Sequence, residues 1–303
     1  MSDLPLVSII VPYFDFADYL SEAVASAHAQ TYENIEIVVV DDCSPIRPAE
    51  EIISQSLFRN LKVIRHDCNQ GAAAARNTGV LSSNGSLIVA LDSDDRLAPT
   101  FVEKTVKALH STNLGGIYTQ VEIFGTQESL WIPEINLLNV MTAQPGPPSF
   151  LYRREVFDSV GGYRAGLYHA DAEFWLSILK KGWEFQRIEE PLFRYRKHGR
   201  NSSTANRTSE VASLAGVHRD LYVEDLEAVL QALEEKYWRA KDEFQALAEG
   251  FAQLKRSRDA EHEQLEDFLA QHKRKLRVKL ALAVRSLMSP DKTKQDRGGA
   301  RQC

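Results

Sequence analysis

Short apolar runs alternate with helical patterns through the first hundred residues, and that alternation constrains the fold more than any other feature of the chain. The runs are Leu6–Val11, Ile35–Val40, Leu61–Ile64 and Leu87–Leu91. Between them the spacing predicts helices over Ala17–Gln30, Ala49–Phe58 and an Ala-rich Gly71–Leu81. Continuous apolar strands separated by helices are the mark of a parallel sheet covered on both faces. No G-x-G-x-x-G follows the first strand, which argues against a dinucleotide-binding Rossmann domain.

Each run ends in polar or aromatic residues, and parallel strands deliver all of these to one sheet edge, the carboxyl edge where open α/β sheets bind ligands. The first ends in Val11-Pro12-Tyr13-Phe14-Asp15 and the second in Val40-Asp41-Asp42-Cys43-Ser44. Asn69-Gln70-Gly71 and Ala75-Arg76-Asn77-Thr78-Gly79 follow the third, and Leu91-Asp92-Ser93-Asp94-Asp95 closes the fourth. Three carboxylates so close together repel unless a positive charge neutralises them. A divalent cation carrying a phosphorylated ligand meets that need, with Asp94 and Asp95 as hard oxygen ligands for Mn²⁺ or Mg²⁺. Phe14 can stack on a base, Asp42 can accept a base N–H (which favours uracil), and Arg76 can meet a phosphate with its planar donor fork.

These blocks, in this order, resemble the signature of family-2 glycosyltransferases over about Leu4 to Thr204. The resemblance implies an α/β fold of GT-A type, a mostly parallel sheet with helices on both faces. It implies a nucleotide-sugar donor, a divalent metal and inversion at the anomeric carbon. Pro12, Tyr13, Phe14, Asp41, Asp42, Asn69, Gly71, Arg76, Asp92, Ser93 and Asp94 then form the donor site. The family's catalytic base falls on Asp171 within His169-Ala170-Asp171-Ala172-Glu173-Phe174-Trp175-Leu176. Ala170 stands where a second acid is usual, and Glu173 is a runner-up of structural character. Asp15 replaces the usual Asn. Tyr195-Arg196-Lys197-His198-Gly199 resembles the closing segment, which makes His198 a metal ligand beside Asp94 and Asp95. The loop Gln144–Phe150 with Gly161-Gly162-Tyr163 offers an acceptor-side wall. A glycan or lipid-linked acceptor, and a role in cell-surface polysaccharide synthesis, complete the expectation.

The rest of the chain is organised differently. Asn201–Thr208 is small and polar, as in a linker, so residues 1–205 form the enzyme domain and 206–290 a helical region, followed by a disordered tail over 291–303. Leu226, Leu230, Leu233, Tyr237, Ala240, Phe244, Leu247, Phe251 and Leu254 alternate four and three residues apart. This heptad seam predicts a helix roughly 40 Å long and a coiled coil that binds a second copy or a helical partner. Its basic sequel, Lys273-Arg274-Lys275-Leu276-Arg277-Val278-Lys279-Leu280, suits peripheral contact with an anionic membrane. An alternative reading makes the chain a coiled-coil interaction protein with an idle sugar-nucleotide domain; retention of Asp42, Arg76, Asp94, Asp95, Asp171 and His198 weighs for catalysis.

Composition supports an ordinary globular protein: 303 residues, net charge -6, which speaks against a nucleic-acid-coating surface. Cys43, Cys68 and Cys303 lack metal-ligand spacing and suggest a reducing compartment. Met1-Ser2-Asp3-Leu4-Pro5 has no signal-peptide character and no run approaches the ~20 apolar residues of a bilayer span, so a cytoplasmic location is expected, with peripheral contact at the inner face of the membrane.

Overall fold

The computed structural model describes residues 4–53, 58, 60–109, 114–142, 146–167, 169–199, 207–225, 227–236 and 238–239. These fall into two compact units, one within 1–140 and 144–204 and the other within 141–143 and 205–302.

The first unit is built on a mixed sheet of nine strands in the order β3-β2-β1-β4-β8-β6-β9-β5, with β7 paired to β6. Its first half is parallel: β1 (Val7–Tyr13), β2 (Ile35–Asp41), β3 (Leu61–Arg65) and β4 (Leu87–Ala90). Every residue of β1 and β4 is buried, which explains their largely apolar character. Helices α1 (Ala17–His28), α2 (Ala49–Ile52) and α3 (Ala72–Leu81) make the crossovers. Helix α2 stops at Ile52, short of the expected Phe58, because Ile53 turns to an extended conformation and is itself buried. Gly79 brings α3 directly onto the sheet: a Cβ there would overlap Ile10 Cγ2 and lie 3.3 Å from Val40 Cγ2.

The second half of the sheet is mixed in direction. Strand β5 (Arg96–Leu97) leads to α4 (Phe101–Ala108), then come β6 (Leu114–Gly125), β7 (Ser129–Trp131), α5 (Leu137–Met141), β8 (Leu151–Arg153), α6 (Arg154–Val160), α7 (Ala170–Lys180) and β9 (Glu184–Lys197). Strand β8 is antiparallel to both β4 and β6, whereas β9 runs parallel to β6 with register shifts and antiparallel to β5. This arrangement carries the end of β9 to the carboxyl edge, beside the loop after β4. Beneath α7 lies an aromatic core in which Phe150 stacks on Trp175 at 4.0 Å and Tyr163 on Phe174 at 4.1 Å.

The second unit contains α8 (Arg207–Val217), which starts inside the stretch read as a linker, and α9 (Arg219–Glu224). Residues 227–236 continue helically. Tyr222 Oη donates to Met141 O at 2.7 Å, and Lys236 Nζ to Thr142 O at 2.7 Å. Of the heptad seam, Leu230 and Leu233 are described, Leu230 on the surface. The coiled coil beyond Arg239, the basic segment from Lys273 and the tail from 291 lie outside the described residues. Among the described residues no helix is long and apolar enough to cross a membrane.

Candidate active site

Two of the expected donor-site carboxylates are consumed by the fold. Asp41, at the end of β2, accepts Ser44 N–H at 2.7 Å and Ala49 N–H at 2.9 Å, and it pairs with Arg65. It thereby ties the first turn of α2 to the strand. Asp42 accepts from Gln70 N at 2.9 Å, Gly71 N at 2.7 Å and His66 Nδ1 at 2.7 Å, and His66 Nε2 meets Thr78 Oγ1 at 2.9 Å. Both are buried, and three of the four lone-pair sites of Asp42 are engaged by His66 and the loop that precedes α3. Gly71 caps α3 at φ 89, a conformation that excludes side chains elsewhere but costs glycine little. Asn69 is exposed at the rim of this loop.

At the end of β1, Pro12 and Tyr13 face inward and Tyr13 Oη donates to Arg47 O at 2.7 Å. Burial raises the Tyr13 pKa. Phe14 alone of this trio is open, 40% exposed. The turn that presents it is completed by Asp15 at φ 59, a left-handed position that Asp and Asn tolerate better than most residues.

The chemistry gathers around the loop after β4. Arg76, on α3 and nearly fully buried, donates through Nη2 to Asp92 Oδ1 at 2.5 Å and lies 5.4 Å from the Tyr163 ring centroid. Burial opposes its charge, but Asp92, Tyr163 and Asp171 together hold its pKa above the ordinary value. Its Nε is buried without an acceptor among the described residues. Asp94 Oδ2 meets His198 Nε2 at 2.9 Å; burial first and Asp92 second raise the Asp94 pKa. Asp95, by contrast, is fully buried and accepts Arg196 N–H at 2.8 Å. Burial and the neighbouring Asp94 and Asp92 lift its pKa well above the usual carboxylate value. Ser93 is buried between them.

Asp171 stands in the first turn of α7, partly exposed, and acts electrostatically on Arg76, Tyr163 and His169. Among the described residues no group donates a hydrogen bond to its carboxylate. Two residues on, Glu173 is buried and accepts from Ser177 Oγ at 2.7 Å and Arg164 Nε at 3.4 Å. The helix thus turns one acid outward and one inward. The expected acceptor wall is different in kind. Tyr163 is a core residue whose backbone is held by Asn77 through bonds of 2.7 and 2.8 Å, and its pKa is pushed up to about 12 by burial. Residues 146–150 pack around Trp175, whose Nε1 donates to Pro147 O at 3.1 Å. Sequence reasoning gave neither Tyr163 its place against Arg76 nor Arg196 its place beneath the acidic loop; only proximity in the fold reveals both.

Residues 8–175, more than half of the chain, match the family described as Glycosyl transferase family 2. The chain belongs to that family. A glycosyltransferase of Haemophilus influenzae, uncharacterized by name, is 29% identical over 234 residues, covering 73% of this chain and 79% of its own. Two solved structures share the fold, a GT-A-like mixed α/β sheet with helices. Staphylococcus aureus TarS 1-349 in complex with UDP-GlcNAc aligns with a TM-score of 0.60 at 19% identity, over 69% of this chain and 65% of its own. The Pyrobaculum calidifontis mannosyltransferase PcManGT, in complex with GDP-Man and Mn²⁺, aligns with a TM-score of 0.61 at 17% identity, over 95% and 88%. The protein is therefore an enzyme, a glycosyltransferase.

Proposed function

We propose that the chain transfers a sugar, with inversion, from a nucleoside-diphosphate sugar to a hydroxyl of a glycan or lipid-linked acceptor, in the synthesis of a surface polysaccharide. The single observation that carries this reading is the contrast among the carboxylates. Asp41, Asp42, Asp95 and Glu173 are tied into the protein, whereas Asp171 receives no hydrogen bond among the described residues and lies beside the buried Arg76. An unencumbered carboxylate at the edge of the donor site is suited to take the proton from an attacking hydroxyl.

A divalent cation fits the residues at hand. Asp94 and His198 provide a hard oxygen and an imidazole nitrogen in direct contact, although no group of three or more His, Cys, Asp or Glu is assembled among the described residues. Mn²⁺ or Mg²⁺ held by these two side chains would take its remaining ligands from the diphosphate and water, and would supply positive charge to the departing nucleoside diphosphate. Mn²⁺ in the PcManGT complex supports the assignment. Asp95, enclosed and bonded to Arg196, belongs to the scaffold of this site and not to the metal's ligand set. Arg76 orients the donor through its unused donors and holds Asp92 in place. Phe14 offers the face on which a base stacks. With Asp42 buried and three of its four lone-pair sites engaged internally, the ground for preferring uridine weakens, and UDP- and GDP-sugars both stand as candidate donors.

Asp171→Asn tests the assignment. It removes the proton acceptor and keeps the shape, so transfer falls by about 100-fold or more while nucleoside-diphosphate binding by calorimetry is retained. Transfer within a few-fold of wild type would place the base elsewhere.

A further inference from the structure

His198 lies one residue beyond the end of β9, where the chain leaves the sheet, yet it must hold a fixed orientation if it is to share a cation with Asp94. Besides its bond to Asp94, it is held by groups from the opposite end of the sequence. The imidazole is flanked by two rings from the start of α1, Phe16 at 5.3 Å and Tyr19 at 5.2 Å between centroids. Phe16 and Tyr19 are three residues apart, so they share one helix face and stack on each other at 6.4 Å. Tyr19 also holds a second group, since the Arg196 guanidinium sits 4.5 Å from its ring centroid, and equally 4.5 Å from that of Phe124. Arg196 in turn donates its backbone N–H to Asp95 and its Nε to Asp94 O at 2.7 Å, and it pairs with Glu22 one turn further along α1. The hydroxyl of Tyr19 makes no hydrogen bond among the described residues, so it is the ring that does the holding.

We propose that Tyr19 is a positioning residue for the metal pair. Its aromatic face clasps Arg196 and His198 at once, and so fixes the end of β9 against the acidic loop after β4. The metal part of this inference rests on the assignment of Asp94 and His198 as cation ligands. Partners that orient a ligating histidine typically alter metal affinity by about 10–100-fold when removed. Because the clasp uses the π face and not the hydroxyl, phenylalanine is expected to replace tyrosine without loss.

The test uses the full chain with Mn²⁺ titrated in the presence of UDP or GDP, free Mn²⁺ being read by electron paramagnetic resonance. Tyr19→Ala weakens Mn²⁺ affinity about tenfold or more, and Tyr19→Phe restores it. Tyr19→Leu, which keeps the apolar volume but offers no π face, shows the same loss and replaces the alanine variant should that one fail to fold. Wild-type Mn²⁺ affinity in a folded Tyr19→Ala or Tyr19→Leu overturns the proposal. The second readout needs no metal: the imidazole proton signal of His198, identified by its disappearance in His198→Gln, is displaced by the two rings and moves toward the free-histidine position in Tyr19→Ala. If the wild type binds no Mn²⁺, the ligand assignment falls and the clasp is judged on this signal, an unmoved resonance overturning it.

Discussion

Asp94 and Asp95 are adjacent in sequence, but the fold sends them to different environments. Asp94 turns to His198 in the crevice, while Asp95 is enclosed, with Oδ1 on the Arg196 amide and Oδ2 without a partner among the described residues. A buried carboxylate beside two others is a cost at neutral pH, because its charged form is disfavoured in the folded state. The folded pKa of Asp95 lies above the ordinary value of 3.8, so its contribution favours folding below that value and is lost as pH rises through the elevated folded pKa. Asp95→Asn keeps the acceptor for Arg196 and deletes the charge. The variant is therefore expected to be more stable than wild type at pH 7 without metal, with the gap closing as pH falls toward 4. Urea unfolding of both proteins across that range measures it, and parallel curves would refute the argument. The sequence marked the Asp-rich loop as a candidate site; which aspartate meets His198 could not be read from it, since that depends on the end of β9, about a hundred residues away. The same holds for Asp41 and Asp42, whose partners Arg65, His66, Gln70 and Gly71 are side chains and amides that only the crossover brings near.

At the scale of elements, legibility followed burial. Strands β1, β2 and β4 are nearly or wholly buried and announced themselves as continuous apolar runs, within a residue or two of their observed ends. Strand β9 is half-exposed along most of its length and includes Pro191, so no such run betrays it. Its parallel partner β6 is separated from it by two strands and three helices, a pairing beyond any local pattern. Helix α3 was legible for a different reason: its Ala-rich sequence and Gly79 record a close approach to the sheet. Gly79→Ala forces a methyl into Ile10 Cγ2, with Val40 Cγ2 also tight at 3.3 Å. Overpacking of this kind destabilises by about 1–3 kcal/mol, to be measured as a lowered urea midpoint with unchanged m-value. Gly161, with open space where its Cβ would lie but a φ of 77, is the instructive contrast, since there the penalty is backbone strain and not collision.

At the scale of the molecule, the proposed donor site draws on β1, α3, the loop after β4, α7 and the end of β9, so ligand binding is expected to stabilise the first unit. On the proposed assignment a cation finds two side-chain ligands among the described residues, Asp94 and His198, which makes metal alone a weak ligand. A nucleoside diphosphate bound there without metal would face Asp92 and Asp94 and be repelled by them. Each ligand therefore supplies what the other lacks, and by reciprocity each raises the other's affinity by the same factor. A ligand at a hundred times its Kd stabilises by about 2.7 kcal/mol. For a unit of this size that corresponds to a rise in Tm of roughly 5–10 °C. Calorimetric melting with UDP, GDP or Mn²⁺ singly is expected to shift the first unit's transition little, whereas one nucleoside diphosphate together with Mn²⁺ produces the full rise, and EDTA abolishes it. The nucleotide that responds names the donor class, because on the proposed reading both compete for the same stacking face on Phe14 and the same fork on Arg76. A full shift from nucleotide in the presence of EDTA would remove the cation from the site and leave Arg76 to neutralise the diphosphate alone.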